Sequence, residues 1–234
     1  MSITAGASLE VKSNLKVTGQ RVSQVLDCTH IFQPHINVVE CTRPYQENIA
    51  NWVESIPPFM VPLAAEINVS KLNNEPNIQQ LRHDIDERLS ESWLPEVETI
   101  IPDVQSLAEL YVYLVDPDSL GIRIRYLTQS MCSKWHQDYV GIRLVSTYGQ
   151  SDTPGTQWVD SEFIHHERLG FKNKVQGDDS LEVVQDISKI QTMAPFSIGL
   201  LKGANWQGNE ATPVIHRSPH GDYKRVLVSI DTIP

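Results

Sequence analysis

The sequence predicts an α+β fold, in which a helical N-terminal half packs on a jelly roll of β-strands formed by the C-terminal half. Two features of the 234-residue chain support this prediction. Residues 47–115 place apolar side chains at three- and four-residue intervals, as amphipathic helices do. From Gly121 onward apolar and polar residues alternate, and glycine and proline turns separate short segments, which is typical of β-sandwiches and barrels.

The first half is predicted to contain one strand and three helices. Asn77 suits the N-cap of the middle helix, because its short side chain can accept a hydrogen bond from a backbone N–H. Pro57 and Pro58 end the first helix, since proline cannot continue one. The predicted elements are a strand at Ile36–Cys41 and helices over residues 47–56, 77–93 and 104–115.

Three regions are expected along the chain. Residues 1–24 are polar and aperiodic, which predicts a flexible N-terminal arm. Residues 25–120 are predicted to form a strand and helix region that braces residues 121–234, the metal-binding β-core. Within the core, residues 160–191 make a long excursion between strands. His165 and His166 in this excursion are either exposed loop residues or accessory metal ligands.

Charge and composition limit the classes of partner. The chain has 19 basic and 29 acidic residues, and its net charge of -10 repels nucleic-acid phosphates and anionic lipids. We therefore expect neither nucleic-acid nor membrane binding. No run approaches the roughly 18 apolar residues of a membrane span, and the first ten residues lack the features of a secretory signal.

The cysteines indicate a reducing compartment, which predicts a cytoplasmic protein. Cys28, Cys41 and Cys132 are an odd set without a Cys-x-x-Cys pair, so a disulfide scaffold is disfavoured. Cys28 and Cys41 could form a zinc site with His30 and His35, but buried structural thiols are the alternative. Cys132 either lines a pocket or is likewise structural.

A metal-ligand pattern stands out in the C-terminal half. His136 and Asp138 form a His-x-Asp pair, and His216 follows 78 residues after Asp138. Alternate residues of a strand project to one face, so His136 and Asp138 can reach one ion while Trp135 points away. Two histidines and one carboxylate hold non-haem Fe(II) with open coordination positions. The same ligands with a water also suit Zn²⁺, and hydrogen-bonded structural residues are the remaining alternative.

Residues around this pattern could bind a carboxylate. Tyr126 lies ten residues before His136, and Arg225 lies nine residues after His216. On the last predicted strand Arg225 and Ser229 share a face. A guanidinium offers two parallel donors to a carboxylate, and a hydroxyl can add a further hydrogen bond.

These intervals resemble those of the iron(II)- and 2-oxoglutarate-dependent dioxygenases, particularly the prolyl-hydroxylase-like branch. The resemblance covers about residues 121–232 and implies a double-stranded β-helix fold. It further implies Fe(II) held by the His-Asp-His set, with 2-oxoglutarate held by Arg225, Tyr126 and Ser229. Pro154-Gly155 stands where that family usually has a Gly-Gly turn.

Over nearly its whole length the chain also resembles an uncharacterised bacterial domain family. The shared signature is Trp-His-x-Asp, Thr-Tyr, Pro-Gly-Thr-x-Trp and His-Arg-Ser-Pro. This second resemblance supports the fold and implies no reaction.

The expected function is that of an Fe(II)- and 2-oxoglutarate-dependent oxidoreductase acting on a small molecule or peptide. The alternative is a non-catalytic, cupin-like protein that binds, senses or handles zinc or iron. Arg143 and Arg217 are secondary candidates for substrate contact. Arg217 neighbours the ligand His216 on one strand and so points to the opposite face, which favours a structural ion pair.

Overall fold

The computed structural model describes residues 18–58, 62–169 and 177–233. The described helices are α1 (Glu47–Ser55), α2 (Ile78–Ser90), α3 (Ile101–Val115) and the short α4 (Ser180–Val183), and Val25–Phe32 forms a 3-10 helix. The strands before α3 are β1 (Thr18–Val22), β2 (Ile36–Cys41), β3 (Leu63–Asn68), β4 (Lys71–Leu72) and β5 (Glu75–Pro76). Those after α3 are β6 (Ser119–Leu127), β7 (Ile142–Tyr148), β8 (Gln157–Val159), β9 (Gln191–Thr192), β10 (Ile198–Lys202), β11 (Ile215–Arg217) and β12 (Arg225–Thr232).

The strands form one large and one small sheet, which together with the helices give a mixed α/β fold. The large sheet has seven strands in the order β1-β2-β10-β7-β12-β6-β3, and the small sheet has the order β11-β8-β9. β4 and β5 pair separately as a hairpin. None of the described helices is long and apolar enough to cross a membrane.

The two faces of the large sheet bury different partners. One face packs on α1, α2 and α3 and forms the main apolar core, to which β12 contributes Val226, Val228 and Ile230. The other face meets the small sheet through a second cluster that includes Val145, Leu227 and Trp158. Residues therefore alternate along β12 between the helix side and the inter-sheet side, as the strand period of two requires.

The outer face of the small sheet is covered by the long excursion. Trp135, Val159 and Ile215 pack there against Ile164, Val183 and Val184. The inter-sheet space thus has apolar layers on both sides, which hold β8 and β11 against the large sheet.

Most predicted elements are confirmed, with shifted ends. β2 has the predicted bounds, and the Asn77 side chain caps α2 by accepting a hydrogen bond from the Gln80 N–H at 3.2 Å. α3 begins three residues before the predicted start, because Pro102 lies in the first turn, where a missing N–H costs nothing. α2 ends at Ser90 rather than at residue 93, and Trp93 is 86% exposed.

Several strands were not predicted, among them β1 and β3. β1 lies within the predicted arm, so the arm boundary at residue 24 is wrong, and residues 1–17 lie outside the described residues. β1 was missed because it is an edge strand without apolar alternation. A Cβ on its Gly19 would lie 2.1 Å from the Trp158 ring, so β1 approaches the small sheet very closely. β3 was missed because its two alanines favour strands only weakly.

Candidate metal centre

His136, Asp138 and His216 meet at one point beside the small sheet. One donor atom from each lies within 4.8 Å of the other two. Nε2 of His216 is 3.3 Å from Oδ2 of Asp138, and Nε2 of His136 is 3.9 Å from Oδ1. The structure therefore brings together the three residues that the sequence predicts as metal ligands.

Backbone pairing fixes the two histidines side by side. His136 and His216 each donate a backbone hydrogen bond to the other's carbonyl, at 3.1 and 2.9 Å. His216 also pairs with Trp158 across β11 and β8. Because neighbours in a strand point to opposite faces, Trp135 and Arg217 lie on the outer side, where the guanidinium carbon sits 4.4 Å from the centre of the Trp135 ring.

The donor set fits a divalent transition metal. Nδ1 of His136 lies 2.8 Å from the Lys134 carbonyl, which can only accept, so Nδ1 carries the proton and Nε2 keeps its lone pair for a metal. Two atoms that bind one ion at about 2.1 Å and at right angles lie about 3 Å apart. The observed separations from Asp138 are 3.3 and 3.9 Å, and small side-chain rotations would bring both to about that value.

Electrostatics keeps the carboxylate ionised. Burial alone would raise the pKa of Asp138, but the hydrogen bond from His216 and the positive charges of His216 and Arg143 hold that pKa well below its ordinary value. Burial, followed by the charge of His216, lowers the pKa of His136. Metals bind the neutral imidazole, so the lowered pKa of His136 favours metal binding.

A cavity of about 130 Å³ adjoins the three side chains. An engineered cavity of similar size, about 150 Å³, holds benzene, so this space accepts a small molecule. Apart from the triad it is lined by Met131, Cys132, Arg143, Val145, Thr156, Arg217, Ser218, Leu227 and Ser229. The predicted residue Ser229 thus lies beside the triad.

Arg225 is a buried cation with an unused donor. It is 2% exposed and lies on the same face of β12 as Leu227 and Ser229. Its Nη2 donates to the Gln129 carbonyl at 3.0 Å, whereas its Nη1 has no hydrogen-bond partner in the part of the chain that the structure describes. Among the described residues no carboxylate forms an ion pair with Arg225, and burial lowers its pKa. A buried guanidinium in this state can accept an anionic ligand.

Tyr126 does not join the site. It pairs with Val226 across β6 and β12 and so lies on the helix side of the large sheet, whereas Arg225 faces the small sheet. Its hydroxyl is buried and has no hydrogen-bond partner among the described residues. The ten-residue interval to His136 is therefore present in the sequence but does not bring Tyr126 to the metal ligands.

The other candidate residues have local roles. Arg217 donates to Asp178 at 2.6 Å in the predicted structural ion pair. His166 contacts the Ser161 carbonyl and His165 lies near Glu167. Besides the triad, the described residues offer one other group that could hold an ion, the exposed His83 and Glu87 with the half-buried Asp84, so the alternative zinc site around Cys28 does not form.

Some cavity residues were not predicted. Thr156 and Val145 line the cavity, and Arg143 contacts Asp138 directly. Alternation along β7 would have placed Val145 on the cavity side. Thr156 precedes a strand of only three residues, which is too short to show a period of two.

The chain matches the profile of one family, described as "Protein of unknown function (DUF1826)", over residues 23–231. No curated protein sequence matches the chain. Similar solved structures include the rice dioxygenase for auxin oxidation (DAO), with 11% identity, a TM-score of 0.45, and coverage of 89% of this chain and 78% of that one.

Two further solved structures are similar, and each also covers 89% of this chain. The 2-oxoglutarate binary complex of AtDAO1, dioxygenase for auxin oxidation 1 from Arabidopsis thaliana, has 10% identity, a TM-score of 0.41 and 75% of its chain covered. The selenomethionine-labelled Fe(II)/(alpha)ketoglutarate-dependent dioxygenase TqaL has 9% identity, a TM-score of 0.44 and 86% covered. All three TM-scores lie below 0.5, and the assignment of the site rests on its own geometry.

Proposed function

We propose that this chain, which belongs to the DUF1826 family, is an Fe(II)- and 2-oxoglutarate-dependent dioxygenase-like enzyme. The observation that carries the proposal is the convergence of His136, Asp138 and His216 beside a small cavity. Arg225 lies on the same face of β12 as the cavity residues Leu227 and Ser229, and its buried Nη1 has no hydrogen-bond partner among the described residues, which supports the binding of an anionic co-substrate.

The strand connections support a double-stranded β-helix as the fold of the β-core. From β6 onward, counting the His136 bridge as the second segment, eight segments follow one another. The first, third, sixth and eighth belong to the large sheet, in the order β10-β7-β12-β6. The second, fourth, fifth and seventh form the small sheet, in which His136 pairs with β11, β11 with β8, and β8 with β9. Strands that alternate in this way between two facing sheets are the hallmark of a jelly roll.

The triad would hold Fe(II) through Nε2 of each histidine and one oxygen of Asp138. Fe(II) in such a setting supplies the oxidising chemistry, with O₂ as oxidant and a 2-oxo acid as co-substrate. The protein's own contribution is to fix the ligands. The Lys134 carbonyl orients the His136 ring, and the mutual backbone hydrogen bonds hold the two histidines together.

Arg225 and Ser229 would bind the far carboxylate of 2-oxoglutarate. A charged, hydrogen-bonded carboxylate would satisfy the free Nη1 of Arg225, whose burial otherwise carries a cost. Val145 and Leu227 form apolar walls that keep water away and strengthen this contact. The nine-residue interval between His216 and Arg225 supports the prolyl-hydroxylase-like branch, and the position of Tyr126 departs from it.

The second candidate is metal binding without catalysis. Two nitrogens and one carboxylate oxygen, with a water, also satisfy tetrahedral Zn²⁺. Affinity alone favours zinc over Fe(II). Binding of 2-oxoglutarate distinguishes the two candidate functions, because a protein that only binds zinc does not need the buried cation at Arg225.

Metal content of purified variants tests the proposed ligands. We expect His216→Ala to lose the metal and Asp138→Asn to weaken binding more than Asp138→Glu, because only Glu keeps the negative charge. His220→Ala is the matched control, since His220 follows four residues after His216 but its nearest charged partner is Asp178, at 3.8 Å. Wild-type metal content in both His216→Ala and Asp138→Asn would refute the assignment of the site.

A further inference from the structure

Arg143 joins the metal ligand Asp138 to a second carboxylate. Its Nη1 donates to Oδ2 of Asp138 at 2.5 Å. Its Nη2 and Nε donate to Oδ2 of Asp231 at 2.6 and 2.9 Å. Asp231 is 3% exposed, and its other oxygen accepts a hydrogen bond from Arg123 at 2.8 Å. The Arg143 guanidinium is thus anchored at one end and offered to Asp138 at the other.

Strand register builds this arrangement into the large sheet. Arg143 and Asp231 are direct partners across β7 and β12, and directly opposed residues of opposite charge interact on one sheet face. Asp138 lies in the loop that leads into β7, five residues before Arg143. The sheet therefore holds the guanidinium in place, and the guanidinium in turn fixes the ligand on the loop.

The contact bears on how Asp138 can bind a metal. A carboxylate can bind through one oxygen or through both, and the second mode uses a coordination position that an open triad keeps free. Arg143 holds Oδ2, which also lies 3.3 Å from Nε2 of His216, while Oδ1 lies 3.9 Å from Nε2 of His136. The charge-assisted hydrogen bond occupies a lone pair of one oxygen and so favours metal binding through one oxygen of Asp138 rather than through both.

We propose that Arg143 is a positioning residue that restricts Asp138 to one-oxygen metal binding and so keeps the remaining positions open. This inference rests on the proposed function and adds a residue that acts through a ligand. A different role for Arg143 predicts the opposite change in metal affinity when Arg143 is replaced. If Arg143 merely neutralises Asp138 in the metal-free protein, it competes with and repels the cation, and its loss raises metal affinity.

The test is a titration of Co²⁺ into metal-free wild type, Arg143→Gln and Arg143→Lys, with visible absorption spectra of each loaded protein. Loss of partners that orient a metal ligand typically costs 10–100-fold in metal affinity, so we expect Arg143→Gln to weaken Co²⁺ binding by about that factor. Its spectrum should also shift as Asp138 turns to bind through both oxygens. Arg143→Lys should be intermediate, because lysine keeps the charge but loses the planar fork.

Arg123→Gln is the matched control. Arg123 shares Asp231 with Arg143 but makes no contact with Asp138, so affinity and spectrum should stay near those of wild type. If Arg143→Gln does not fold, Asp231→Asn removes charge from the anchor and should move both readouts in the same direction. Higher affinity in Arg143→Gln, or an unchanged affinity and spectrum, overturns the positioning role alone. Wild type that fails to bind Co²⁺ overturns the proposed function together with it.

Discussion

Replacing Arg225 by methionine should abolish tight 2-oxoglutarate binding and at the same time stabilise the ligand-free protein. A buried guanidinium that binds a ligand lacks hydrogen-bond partners when the ligand is absent, whereas a structural guanidinium has its partners within the protein. With the described residues Arg225 makes one hydrogen bond, to the Gln129 carbonyl, and its Nη1 is left without a partner. Methionine retains the apolar length of the arginine stem and carries no charge.

The magnitude follows from these contacts. A buried donor without a partner costs about 1–3 kcal/mol, and methionine removes that cost. The lost hydrogen bond to Gln129 offsets about 1 kcal/mol, and Gln129 is exposed, so water can replace the donor. We expect a net gain of about 1 kcal/mol, or roughly 2–4 °C in Tm for a chain of this size. The lost charge-assisted contact with 2-oxoglutarate is worth about 1.5–3 kcal/mol, which is about one to two decades in affinity.

Two assays measure the two effects. Calorimetric titration of 2-oxoglutarate into Mn²⁺-loaded wild type, Arg225→Met and Arg225→Lys measures affinity, and thermal unfolding of the metal-free proteins measures stability. Arg217→Met is the control, because Arg217 is also buried but pairs with Asp178 at 2.6 Å, so its removal should destabilise. The reasoning fails if Arg225→Met destabilises as much as Arg217→Met and leaves 2-oxoglutarate affinity unchanged.

Three further predictions follow from the fold and the site. Tyr126→Phe should leave 2-oxoglutarate affinity at the wild-type value, because the ring lies on the helix side of the sheet; a tenfold loss in the same titration would return Tyr126 to the site. The lowered pKa of His136 means that the unfolded chain binds a proton near the ordinary value of 6.5 that the folded metal-free protein does not. The free energy of unfolding should therefore fall as pH drops from 7 to 5, and His136→Gln should reduce that slope in urea titrations; equal slopes would contradict it. Gly19→Ala should destabilise by about 1–3 kcal/mol, since the new methyl group meets the Trp158 ring; an unchanged Tm would show that β1 does not pack there.

The three candidate metal ligands were predictable in part from local information. His136 and Asp138 show their common face through a spacing of two, and His216 lies in a segment with the same alternation. The backbone pairing of His136 with His216 joins segments 80 residues apart, and no local pattern states which strands become neighbours. The prediction of a shared site therefore depended on the resemblance to a known spacing.

Tyr126 illustrates where spacing alone fails. A shift of one residue in a strand turns every side chain to the other face. In β6 the residues at 122, 124 and 126 pack on the helices, so a tyrosine at 126 faces away from the site although its distance along the chain fits. The apolar alternation of β6 predicts the face on which Tyr126 lies, whereas its interval to His136 does not.

The contact of Arg143 with Asp138 could not be predicted from the sequence, for a different reason. Arg143 and Asp231 lie 88 residues apart, and each alone is an ordinary charged residue in a strand. Their pairing follows from the register of β7 against β12, which tertiary packing sets. The sequence identified Arg143 as a candidate for substrate contact, and the structure places its guanidinium both at the cavity and against Asp138, one of the three candidate metal ligands.

The measurement that tests the central claim most directly is visible absorption of the wild-type protein during anaerobic addition of Fe(II) and then 2-oxoglutarate. We expect a weak charge-transfer band that requires both additions and that is absent in His216→Ala, because the band needs iron and the 2-oxo acid at one centre. Tightly bound zinc in the purified protein, with no band after its replacement by Fe(II) and 2-oxoglutarate, would contradict the proposed enzyme and leave a metal-binding protein.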